Sequence, residues 1–190
     1  MAKVGLKYPV AAKLNEDGSY ETGFVIAKAI KATVTANSND VKLYADDGVS
    51  ESDKSFRDGS LSLNVDDLTQ KNYAELLGHT YKAAGTGEDA APETVIASAD
   101  DIAPYVGIGF YGAIKRNNVP SYQAKWLKKV QFSEPNDETD TKGETVNFQT
   151  PTIEGTVFQV ENGAWKEQAE FSKEEDAKAW LNAKAGITTA

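Results

Sequence analysis

The segment that most constrains the fold is residues 122–132, YQAKWLKKVQF, where side-chain character alternates with a period of two. Tyr122, Ala124, Trp126, Lys128, Val130 and Phe132 fall on one face, and Gln123, Lys125, Leu127, Lys129 and Gln131 on the other. That period belongs to an extended strand with one packed face. Tyr, Trp, Val and Phe are the residue types that suit a pleated, packed surface. Ser133-Glu134-Pro135-Asn136 stops the strand, because proline has no N–H to give to a ladder. The polar, acidic run to Glu144 reads as an exposed loop, residues 145–148 resume an extended pattern, and Pro151 confines the chain to an edge, a bulge or a bend.

The same alternation recurs upstream. Residues 8–14 read as a short extended segment, Asn15-Glu16-Asp17-Gly18 as a turn, and residues 20–25 as the return strand. Residues 28–36 alternate again, and Val41, Leu43 and Ala45 read as their hairpin partner across a turn at 37–40. Residues 46–58, DDGVSESDKSFRD, are polar and acidic, with a lone Phe56, and predict a long exposed loop or protruding hairpin. Leu61, Leu63 and Val65 mark the next strand. Residues 105–115 and the 122–132 strand read as a hairpin. Residues 153–161 and 164–170 read as another, across Asn162-Gly163, a favoured type I′ pair.

Two helices are expected. Leu68, Tyr73, Leu76 and Leu77 give a short apolar stripe, with Asp67 or Thr69 as cap and Gly78 as the stop. Residues 82–104 show no period and read as a variable insertion with a short strand near 94–97. In the C-terminal helix, residues 172–185, Ser172 and Glu175 match a capping box. Its acidic first turn suits the helix dipole, Ala177, Trp180, Leu181 and Lys184 share a face, and Gly186 ends it. Roughly eight or more strands with two helices predict an α+β, mainly β domain spanning residues 1–190, with a sheet-on-sheet or barrel-like core.

Composition narrows the function. With 20 basic and 29 acidic residues, the formal net charge is -9, which opposes a nucleic-acid-binding surface. Cysteine is absent, which removes disulfides, thiol catalysis and cysteine metal sites. Residues 1–14 do not read as a signal peptide, and no apolar run has the length of a membrane span, so the expected compartment is cytosol-like.

The chemical motifs are weak. Gly107-Ile108-Gly109-Phe110-Tyr111-Gly112 matches G-x-G-x-x-G, but a dinucleotide site needs that motif to open a helix, and strand and turn residues follow here. Glycines that permit a bulge or a close backbone approach are the expectation. His79 is the single histidine, so no paired imidazole exists, and a surface or capping role is expected. The acidic stretches 46–53 and 137–144 lack the EF-hand spacing, which makes solvated loops the default over calcium sites. No catalytic residue, cofactor site or metal ligand is assigned.

Residues 105–155 nevertheless resemble the major tail proteins, or tail tube proteins, of long non-contractile-tailed bacteriophages. Tyr105-Val106-Gly107-Ile108-Gly109-Phe110 and Tyr122-Gln123-Ala124-Lys125-Trp126-Leu127 carry the likeness, followed by Lys129-Val130-Gln131-Phe132-Ser133-Glu134-Pro135. Thr141-Lys142-Gly143-Glu144 and Phe148-Gln149-Thr150-Pro151-Thr152-Ile153-Glu154-Gly155 continue it, and upstream Leu43-Tyr44-Ala45-Asp46-Asp47 and Leu76-Leu77-Gly78 also look like that family.

The resemblance implies a tail-tube fold, a β-sandwich or barrel of two packed sheets flanked by an α-helix, with a long protruding loop. It implies a virion protein without catalysis, assembled in the host cytoplasm. Hexameric rings would stack around a tape-measure protein and conduct DNA, with terminator and distal tail proteins as further partners. The loop reaching an adjacent ring would map onto Asp46, Asp47, Glu51, Asp53, Phe56 and Arg57. Subunit interfaces would draw on the 122–132 strand, through Tyr122, Lys125, Lys128 and Lys129. Pairing of sheet edges between copies would remove an aggregation hazard, and an acidic lumen would let DNA slide. The rival is a β-sandwich binding module, an adhesin or carbohydrate-binding domain, with Tyr111, Trp126 and Trp165 as an exposed aromatic platform. A hydrolase or nucleotide enzyme ranks last.

Overall fold

A computed structural model of the chain describes residues 2–45, 48–87, 90–116, 119–137 and 150–188. The fold is α+β and mainly β, with one large antiparallel sheet and two small ones. β1 (Ala2–Lys13) and β2 (Phe24–Val25) flank the predicted turn, where Gly18 takes a φ of 82°. β3 (Ala29–Ser38) pairs with β6 (Phe56–Val65), and between them lies a hairpin of β4 (Val41–Ala45) and β5 (Gly48–Asp53). α1 (Gln70–Leu77) and a small pair, β7 (Thr80–Lys82) with β8 (Thr94–Ile96), come next. The central strands β9 (Val106–Arg116) and β10 (Val119–Phe132) precede β11 (Thr152–Phe158), β12 (Lys166–Phe171) and α2 (Glu174–Ala185).

The expected pairing of residues 28–36 with 41–45 is therefore not the one formed. β3 reaches past the hairpin to β6, whose Leu61, Leu63 and Val65 are buried and bring the apolar face that β3 needs. β4 pairs instead with β5, inside the stretch read from sequence as a loop or hairpin.

The eight-stranded sheet runs β2-β1-β9-β10-β11-β6-β3, with β12 also on β10. It is rolled: Ala11 of β1, Leu61 and Leu63 of β6, Ala32 and Val34 of β3, and Ile108 of β9 share one inner cluster. The two packed layers are thus opposite parts of one continuous sheet. α1 adds Leu76 and Leu77 to that core. Thr69 caps it by accepting from Asn72 N, and Gly78 ends it in the left-handed region. Asn72 Nδ2 donates to Ile26 O (2.7 Å), which ties the helix to the segment between β2 and β3.

α2 lies on the other face of β1, β9 and β10, where Val10, Ala12, Tyr111, Ala124 and Trp126 meet Ala177, Leu181 and Ala185. Burying a side chain the size of Leu181 contributes roughly 1.5–3 kcal/mol. The expected capping box does not form: the helix begins one residue later, with Lys173 at the N-cap and no side-chain cap bond. Trp180 is only half-buried, against Phe171, and Asn182 is buried instead. Its Oδ1 accepts from Tyr8 OH at 2.9 Å. Tyr8 itself sits at a φ of 57°, unusual for an aromatic residue, inside the second register shift of β1, between Lys7 and Val10.

β10 is the hub of the sheet. One edge pairs with β9; the other pairs with β12 over residues 122–127 and with β11 over residues 129–132. β11 and β12 consequently do not ladder with each other, contrary to the predicted hairpin. The turn between them is real, with Gly163 N donating to Val160 O (2.8 Å) and Val160 N to Ala164 O (2.9 Å). Only Gly163 of the Asn-Gly pair has positive φ, so it is not type I′.

Candidate functional site

The residues predicted to form a protruding loop divide between two structures. Asp46 and Asp47 lie outside the described residues. Glu51 lies on β5 in register with Leu43, and Asp53 ends that strand, its carboxylate accepting from Ser55 N (2.8 Å). Phe56 and Arg57 are not loop residues: they open β6. Phe56 stacks on Trp165 with ring centroids 4.4 Å apart, and Arg57 Nε pairs with Asp58 at 2.9 Å. The hairpin is pinched at its base, where Asn39 N donates to Ser55 O (2.9 Å) and Asn39 Nδ2 to Ser55 Oγ (3.1 Å). Among the described residues β4 and β5 pair only with each other.

The four β10 residues do not share one face. Tyr122 is half-buried on the α2 side, whereas Lys125 points the other way, with Nζ 5.9 Å from the centre of the Phe110 ring. Between Leu127 and Val130 the strand has a bulge: Leu127 opposes Ile108 and Val130 opposes Val106, three residues against two. The extra residue reverses the alternation. Trp126 belongs to the α2 side, but Val130 and Phe132 join Leu127 in the inner core. The single apolar face read from sequence is thus split between two cores.

Lys128 and Lys129 occupy this bulge, and both line one cleft of about 640 Å³. The cleft lies between the 15–18 turn, the 160–162 turn, Tyr105, Trp126 and the end of α2. Lys184 reaches Glu167 at 2.9 Å, and Lys128 lies 4.0 Å from the same carboxylate. Lys129 Nζ sits 4.1 Å from the centre of the Tyr105 ring. Tyr20 OH donates to Lys128 O (2.8 Å) and accepts from Trp126 Nε1 (3.2 Å), which fixes the floor.

The glycine motif lies on a strand and opens no helix. A Cβ on Gly107 would stand 2.3 Å from the Trp126 ring, and one on Gly109 would stand 2.6 Å from it. The glycines are there because an indole lies flat against the strand.

His79 is not at the surface. Its side chain is 7% exposed, with Nδ1 2.8 Å from Asp101 Oδ2 and Nε2 3.0 Å from Glu134 Oε2. Glu134 also accepts from Tyr73 OH, and Ser98 N donates to Asp101 at 2.8 Å. A neutral imidazole has one N–H, so only the imidazolium satisfies both carboxylates. Burial alone lowers the His79 pKa, but the hydrogen bonds and charges of Asp101 and Glu134 outweigh it, and the pKa is raised. Asp101 is held low by Ser98 N and His79, and burial with Glu134 pushes Tyr73 up to about 12. The contacts of this cluster hold segments 98–101 and 133–137 to the end of α1. Sequence gave no sign of it, because its members are scattered along the chain with no local pattern.

Among the described residues the large sheet has open edges at β2, β3 and β12: β2 pairs only with β1, β3 only with β6, and β12 only with β10. β12 carries Lys166, Glu167 and Glu170, but β3 has one charge, Lys31, no proline, and Ile30 at 50% exposure. The aromatic platform required of a binding module is not exposed, since Tyr111 and Trp126 are 5% and 1% exposed and Trp165 lies under Phe56. No group of three or more His, Asp or Glu suited to a metal occurs among the described residues, and no helix there is long and apolar enough to cross a membrane. No protein-family model matches the chain, and neither does any curated protein.

Proposed function

We propose that this chain is a structural virion protein, a tail tube subunit whose copies complete one another's sheets into hexameric rings. The rings stack into the pipe that surrounds a tape-measure protein and conducts DNA. The observation that carries this reading is the bare edge of β3: ten residues long, with an exposed Ile30 and almost none of the charge or proline that usually blunts such an edge. A second copy is the natural partner for such an edge, and closed rotational symmetry uses every edge once. The self-paired β4–β5 hairpin supplies an element that can reach beyond its own subunit, and the net charge of -9 suits a conduit that does not retain DNA.

Electron microscopy of the concentrated protein tests this. Rings or hollow tubes are expected. Ile30→Lys with Thr33→Lys places charge on exposed positions of the edge, so the monomer is expected to fold while assembly is lost. A wild-type chain that stays monomeric at every concentration overturns the proposal, as does a double variant that assembles normally.

A further inference from the structure

We infer that the cleft at the β10 bulge is a binding site for a small organic monocarboxylate with a flat, apolar body. The bulge is the first reason. Consecutive strand residues point to opposite faces, yet Lys128 and Lys129 both line this cleft, because the extra residue re-aims one of them. The charge balance is the second. The half-buried charges in the cleft are Lys128, Lys129, Lys184 and Glu167; the acids Glu16, Asp17 and Glu161 are exposed. Glu167 engages Lys184 and Lys128, which leaves Lys129 without a carboxylate within ion-pair distance among the described residues.

Lys129, the cleft lysine with no carboxylate within ion-pair distance among the described residues, matches one negative charge, and Glu167 opposes a dianion such as a phosphate monoester. The floor is aromatic: Tyr20 packs edge-on against the nearly buried Trp126 (5.2 Å, 89°), and Tyr105 is held by Lys129 and by an edge contact to Phe158. An aromatic floor favours a flat apolar body, and a volume of about 640 Å³ is ample for one or two fused rings.

The probe is 1-naphthoate, with the neutral 1-naphthalenemethanol beside it. Both are titrated into the unassembled full-length chain, and the Trp126 indole Nε1–H, which donates to Tyr20, is followed by NMR. Naphthoate is expected to give a saturable shift there, with the alcohol binding about fivefold to tenfold more weakly. Lys129→Gln is expected to reduce naphthoate binding by about the same factor and leave the alcohol unchanged. Lys129→Arg keeps the charge and is expected to preserve binding. Lys31→Gln, on the remote β3 edge, is expected to change nothing. No saturable shift, equal affinity for acid and alcohol, or indifference to Lys129→Gln overturns the inference. Binding is read on the unassembled chain, so tube formation and ligand capture stand or fall separately.

Discussion

Gly109 carries no Cβ where the Trp126 indole crosses β9, and a methyl there would stand 2.6 Å from the indole and 2.7 Å from Leu181 of α2. Neither ring nor helix can withdraw cheaply, since Trp126 is 1% exposed and Leu181 fully buried. Gly109→Ala is therefore expected to cost about 1–3 kcal/mol, read as a lower urea midpoint with an unchanged slope. His79 is the second residue on which much turns. Its raised pKa means that its contribution is fully present below about 6.5, the unfolded value, and is lost as pH rises through the folded pKa. Asp101, whose pKa is lowered, contributes above about 3.9 and loses that contribution as pH falls through its folded value. The stability gap between wild type and His79→Gln is accordingly expected to be larger at pH 6 than at pH 9, and the His79 ring protons are expected to titrate above the free imidazole range. A gap that does not change with pH would remove the charged clasp.

Among the elements, the hairpin and the bulge bear most on function. Deleting a segment that included Phe56 would tear it from Trp165, so a clean test must stop at the pinch between Asn39 and Ser55. Replacing residues 41–53 with Asn-Gly keeps that base. The shortened chain is expected to melt within a few degrees of wild type, because among the described residues the hairpin pairs with no other strand, and to form no tubes. Tubes of normal length from that chain would exclude the hairpin from inter-ring contact. Elements themselves were legible from sequence because their signals are local: the period of two in β3, β6 and β10, Thr69 and Gly78 at the ends of α1, and Gly186 after α2. Capping of α2 was less legible, since Ser172 offers a box that a helix starting one residue later cannot use. Glu174 instead pairs with Lys7 (2.9 Å) and accepts from Tyr111 OH (2.7 Å).

At the scale of the whole molecule, one sheet is rolled around one core and covered on its other side by α2. Sequence alone determined that the chain is mainly β, where most of the long strands lie, where two helices end, and that the composition is acidic. Alternation, glycine and charge act through neighbours a few residues away, so they can be read in order along the chain. Only the tertiary structure decided that β3 pairs with β6, that β11 and β12 part to share β10, and that a bulge turns Lys128 and Lys129 into one cleft. The same holds for the burial of His79 between Asp101 and Glu134. Strand partners are chosen by which apolar faces can be buried together, and a one-residue bulge reverses every later side chain; both depend on contacts between distant residues, which no local pattern encodes.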